Sequence, residues 1–143
     1  MSAISVLLVD NNPLLAQLLM RFFYLDGRVR VTTVNSTEED PLTAAGLLAP
    51  DGVLLDLTGM GEGSFSFLRA LRALLPNCLI VALDDTTDQR EAVIAAGANS
   101  LMLKTDVNLN FMVNVHNWLK RHKRSAGTLR PLPNTFLRAP QSN

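Results

Sequence analysis

ISVLLVDNNP, residues 4–13, is an apolar run that stops at a carboxylate and is followed by two amides and a proline. The near-continuous Ile, Val and Leu of residues 4–9 suit a strand covered on both faces, as in a parallel sheet. Asn12 is then placed to cap a helix that has Pro13 at its first position, where a missing N–H costs nothing. A strand, a charged turn and a helix start thus follow one another within ten residues. That pattern is not confined to these residues.

It recurs four times. Apolar runs at 29–34, 52–57, 79–83 and 100–103 read as further strands, and the alternating VRVTTV of 29–34 suits a half-exposed edge. Between them, Leu14, Leu15, Leu18, Leu19, Phe22 and Phe23 form one helical stripe ending near Asp26-Gly27. A weaker helix is expected over 38–48, closed by Pro50. Phe65, Phe67, Leu68, Leu71, Leu74 and Leu75 mark a third, stopped by Pro76. Thr86 with Gln89 resembles a capping box for a fourth helix that Gly97 ends. A fifth is expected over 106–121. Five β-α units with right-handed crossovers imply one α/β domain, a (βα)5 doubly wound parallel sheet with helices on both faces.

Composition narrows the remaining possibilities. The 143 residues suit a single domain, read as residues 1–124, with 125–143 as a flexible C-terminal tail or truncated linker. Thirteen acids balance thirteen bases, but net charge is −6 up to Asp106 and +6 beyond it. That asymmetry suits cations at a helix end followed by a linker better than a nucleic-acid arm, since no aromatic or base-reading motif is interleaved. The single cysteine, Cys78, excludes a disulfide framework and reads as a core filler. No stretch approaches the ~18 apolar residues of a membrane span, and no leader is apparent, so a cytoplasmic chain is expected.

The strand ends carry the chemistry. Asp10 follows the first strand, Asp56 lies near the end of the third, Asp84 and Asp85 follow the fourth, and Lys104 follows the fifth. Open α/β sheets bind ligands at the carboxyl ends of their strands. Distant segments therefore bring several carboxylates and one ammonium to one rim. Carboxylates so gathered suit a hard cation such as Mg2+, held by one or two of them plus water. A carboxylate there can also attack a phosphoryl group to give an acyl phosphate, while the lysine neutralises the oxygens.

With these residues in place, the chain from about Ile4 to Arg121 resembles the receiver domain of two-component response regulators. VLLVDNNPLL resembles that family's opening strand and acidic pair, PDGVLLDLTGM its phosphoacceptor strand, and AGANSLMLKT its fifth strand with the lysine. The resemblance implies a flavodoxin-like strand order of 2-1-3-4-5 and phosphorylation of one aspartate by a histidine kinase. It implies switching through the face of the fourth helix, fifth strand and fifth helix; a homodimer paired through that face is a separate expectation, from the apolar residues of the fifth helix. The resemblance implies that Asp56 is the phosphoacceptor and Lys104 the phosphate-binding lysine, and that Asp10, Asn11, Asp56 and the Thr58 backbone carbonyl hold Mg2+. A DNA-binding output domain would lie outside these residues; no helix-turn-helix is apparent within them.

Several positions depart from the family's pattern. Asn11 stands at the second acidic position and brings no charge to a cation. Asp84 stands where a Thr or Ser donates to the phosphoryl group, and an ionised carboxylate cannot donate. Leu101 replaces the switch Tyr or Phe. Gly59-Met60 replaces Met-Pro, and the segment from Asp84 to Gly97 is shorter than usual. These changes point to an atypical receiver with a degenerate pocket, in which Asp84 pairs with Lys104. The alternative is a conventional receiver in which Asp84 restores the carboxylate count.

Other classes fit less well. Gly59, Gly61 and Gly63 suggest a phosphate-cradling loop, but they follow the third strand and do not complete G-x-G-x-x-G. His116 and His122 are expected on the surface. Phe111, Met112, Val115 and Trp118 of the fifth helix are either a broad core face or a partner surface.

Overall fold

The computed structural model describes residues 3–10, 13–24, 27–35, 40–58 and 60–124. The runs rich in Val, Leu and Ile become β1 (Ile4–Val9), β3 (Gly52–Asp56) and β4 (Leu79–Asp84), almost wholly buried. β2 (Val29–Val34) buries Val29 and Val34 and exposes Arg30, Thr32 and Thr33, and β5 (Ser100–Leu103) is the shortest strand among the described residues. All pairings are parallel, in the order β2-β1-β3-β4-β5. The expected strand order and the edge position of 29–34 are both observed.

Helices cover both faces. On one side α1 (Pro13–Tyr24) and α5 (Leu109–Arg124) pack on Val6, Leu8, Leu54, Val81, Leu83 and Met102. On the other, α2 (Pro41–Leu48), α3 (Ser64–Leu74) and α4 (Arg90–Ala96) pack on Leu7, Val9, Val53, Leu55, Ile80, Ala82 and Leu101. Successive strand residues alternate between these two cores, as the pleat requires.

Local chemistry corrects several helix boundaries. α2 begins at Pro41 because Asp40 caps it: its Oδ1 accepts from the Leu42 N–H at 3.1 Å, and its Oδ2 from the Thr43 hydroxyl at 2.8 Å. The Thr86–Gln89 capping box does not form, and α4 starts at Arg90 with no side-chain cap on Gln89. α5 starts at Leu109, later than expected, because Asn108 accepts from the Phe111 N–H at 3.0 Å. Lys104–Asp106 instead makes a 3-10 turn.

Two apolar stripes also need correction. Among the described side chains of α1 only Leu19 and Phe23 are fully buried; Leu14 is 74% exposed and Leu18 47%. In α5 Phe111, Met112, Val115 and Trp118 are all buried against the sheet, so they present no partner surface. His116 packs edge-on to Phe22 of α1, and His122 stacks on Trp118. Among the described residues no helix is long and apolar enough to cross a membrane. The expected Asn12 cap and residues 125–143 lie outside the described residues.

Candidate functional site at the carboxyl rim of the sheet

Register decides which charged groups meet. Val9 is level with Leu55, so Asp10 and Asp56 follow at matching positions on adjacent strands. The Asp10 N–H continues the ladder to the Val34 carbonyl at 3.1 Å, and the Leu57 N–H does so to Leu83 at 2.8 Å. Asp84 is level with Leu103, so Asp85 and Lys104 come next together. By the pleat, Asp10, Asp56, Asp85 and Lys104 fall on the side of α1 and α5, because Leu8, Leu54, Leu83 and Met102 belong to that core. Asp84 falls on the other side, in step with Ile80 and Ala82.

The centre of the site is Asp56, 4% exposed at the last position of β3. Its Oδ2 lies 3.0 Å from Lys104 Nζ, and its Oδ1 accepts from the Thr58 N–H at 2.9 Å. A buried carboxylate is tolerated where a cation and an N–H answer it. Asp10 is buried beside it at the end of β1. The structure therefore brings Asp10, Asp56, Thr58 and Lys104 to one rim. Asn11 lies outside the described residues.

One expected pairing is replaced. Lys104 Nζ reaches Asp85 Oδ1 at 3.9 Å, not Asp84. Asp84 is half-buried, and its Oδ1 accepts from the Asp85 N–H at 2.7 Å. The register just described is the physical reason, since it sets Asp84 beside Leu103 and on the opposite pleat. Asp85 was visible in the sequence as a second acid after β4, but its level with Lys104 follows only once the strand end is known.

Leu101 is fully buried among Val93, Ala96 and Ala98. Its carbonyl accepts from the Arg90 guanidinium at 3.1 Å, which ties the start of α4 to β5. No sequence signal marked that tie.

A divalent cation has a sparse donor set here. Among the described residues no group of three His, Cys, Asp or Glu side chains could hold a metal ion. Two buried carboxylates at adjoining strand ends still meet the one or two that Mg2+ commonly takes from protein. The Thr58 hydroxyl is buried with no hydrogen-bond partner among the described residues, which leaves a polar atom beside them. The donors fit a weak site rather than a dedicated cage.

No family model matches the sequence. Among curated proteins, the chain is 29% identical over 103 residues to a nitrate/nitrite response regulator protein homolog of Haemophilus influenzae. The match takes in 71% of this chain and spans half of that protein's length. Among solved structures, a response regulator receiver domain protein from Methanospirillum hungatei superposes with a TM-score of 0.70 at 17% identity, over 87% of this chain and 99% of its own. A putative response regulator from Chloroflexus aurantiacus gives 0.70 at 23% identity, over 84% and 100%. The receiver domain of a Pseudomonas aeruginosa sensor histidine kinase, with a magnesium ion coordinated in its active site cleft, gives 0.65 at 23%, over 84% and 97%. With the 2-1-3-4-5 sheet and the five α-helices of its described residues, and with these likenesses, the chain has the CheY-like fold of response-regulator receiver domains.

Proposed function

We propose that this chain is the receiver module of a two-component signalling system, atypical in its phosphorylation pocket, which regulates by docking to partners rather than by enzymatic turnover. The observation that carries the reading is the buried Asp56 carboxylate held 3.0 Å from Lys104 at the rim of the sheet. In phosphoryl transfer an Asp56 oxygen attacks phosphorus and forms an acyl phosphate. The P–N bond of a phosphohistidine on a histidine kinase breaks, and its electron pair leaves with the imidazole nitrogen, which takes up a proton. Lys104 neutralises charge on the transferred oxygens. Asp10, Asn11, Asp56 and the Thr58 carbonyl are the groups that would hold Mg2+, whose contribution is further charge neutralisation.

The same residues argue for weak performance. Asn11 supplies no charge to the cation. Position 84 carries a carboxylate, so the hydroxyl that would donate to a transferred phosphoryl group is missing. Leu101 fills the core beneath α4 and has no ring to report the change. On this reading the module works in the cytoplasm, pairs as a homodimer through α4, β5 and α5, and serves an output domain, DNA-binding on the family's pattern, outside these residues.

A conventional receiver is the second reading, favoured by the intact Asp56–Lys104 pair. Incubation with Mg2+ and phosphoramidate, followed by intact-mass measurement, separates the two. Slow, substoichiometric addition lost in Asp56→Asn supports the atypical module; rapid stoichiometric addition supports the conventional one. No addition under any condition removes Asp56 as phosphoacceptor.

A further inference from the structure

Burial at the rim rises inward along three side chains. The Asp85 side chain is 66% exposed, that of Lys104 20%, and that of Asp56 3%. Lys104 thus bridges an interior carboxylate at 3.0 Å and an outer one at 3.9 Å. Asp85 is held in step with Lys104 by the β4–β5 register, and its own N–H donates to Asp84 Oδ1 at 2.7 Å. An anion that approaches the ammonium from solvent meets this acid at the mouth of the site.

We propose that Asp85 is a positioning residue that competes with oxyanions for Lys104, so that it, and not Asp84, sets how readily the rim admits an anionic group. The inference rests on the reading of the Asp56–Lys104 pair as an oxyanion-accepting site, and it names the residue that regulates entry to it. Two properties follow from the exposure of Asp85. Its removal changes anion binding a few-fold rather than by orders of magnitude, because solvent weakens the pair. The effect also fades with salt, because charges in water are screened within about 3 Å at 1 M.

The test is titration of the full chain with inorganic phosphate, read from the backbone amide NMR signals of Thr58 and Lys104. Parent, Asp85→Asn, Asp85→Ser, Asp84→Asn and Asp88→Asn are compared at low and at ~1 M salt. Asp88 is an exposed acid on the same connection and controls for net charge. The expected result is phosphate binding about 3- to 10-fold tighter in both Asp85 variants, a gain that shrinks below about 2-fold at high salt and is absent in Asp88→Asn. Unchanged binding in the Asp85 variants, a larger gain in Asp84→Asn, a gain that salt does not alter, or no response to phosphate in any variant would overturn the inference. The same variants are treated with phosphoramidate. Tighter phosphate binding without any Asp56 labelling would uphold the role of Asp85 and remove the phosphoacceptor reading, so the two fail separately.

Discussion

Asp56 is the residue on which the site's energetics turn. Its carboxylate is buried and answered by the Lys104 ammonium and the Thr58 N–H. Removing Lys104 leaves that charge with one amide partner in a poorly solvated place. Lys104→Met is therefore expected to cost on the order of 2–4 kcal/mol, below the full figure for a buried pair because the lysine is partly exposed. Asp56→Asn is expected to cost less, since Lys104 keeps Asp85. Urea denaturation of the two variants checks the asymmetry, and equal costs would contradict it. Asp10, Asp56 and Lys104 were legible as a group because each stands at the end of an apolar run. The exchange of Asp84 for Asp85 was not, since a one-residue shift in where β4 ends moves the side chain to the other pleat.

At the scale of elements, the helix and strand ends opposite the site are held by a single guanidinium. Arg72 of α3 donates to the carbonyls of Gly97, Leu75, Pro76 and Cys78 and to Asn99 Oδ1, at 2.7–3.2 Å. Asn99 Oδ1 also accepts from the Ile80 N–H. Burial holds the Arg72 pKa below its usual value, yet these acceptors answer its donors. Gly97 ends α4 at φ 130°, and a Cβ there would stand 2.7 Å from Arg72 Cβ. Gly97→Ala therefore combines backbone strain with a clash at the clasp, and a loss of about 2 kcal/mol or more is expected. Arg72→Met leaves several acceptors unanswered and should cost on the order of 3 kcal/mol. Chemical denaturation measures both, and a neutral Gly97→Ala would contradict the clasp. Strands were readable because two-sided burial writes continuous Val, Leu and Ile. Helix ends were less so: Asp40 and Asn108 make caps that were not marked, and the marked Thr86–Gln89 box does not form. The Arg72 clasp leaves no local pattern, since its partners lie up to 27 residues away.

For the whole molecule, two cores on either side of one sheet leave little freedom at the switch position. Leu101 is enclosed on the α4 side, so Leu101→Phe overpacks that core and is expected to cost about 1–3 kcal/mol. Cys78 reports the integrity of the same core. Burial pushes its thiol from 9.0 up to about 12, against the opposing pull of Arg72. The folded state then keeps a proton that the unfolded state loses, so this contribution to stability is complete below about pH 9 and disappears as pH rises towards 12. Iodoacetamide at pH 8 should modify Cys78 slowly in the native protein and quickly in urea; fast native modification would contradict its burial. Pairing between copies belongs to this scale too. Of α5, Leu109 and Val113 are the exposed large apolar residues among those described. If the α4–β5–α5 face pairs, Val113→Asp should reduce the mass seen by light scattering to that of one chain.

We propose that the rim is a phosphoacceptor site weakened by the charge missing at Asn11 and the hydroxyl donor missing at Asp84. The most direct measurement is the rate at which phosphoramidate with Mg2+ labels Asn11→Asp/Asp84→Thr, followed by intact mass beside the parent. The expected result is clearly faster and more complete addition in the double variant, abolished by Asp56→Asn. Labelling no faster than in the parent would contradict it.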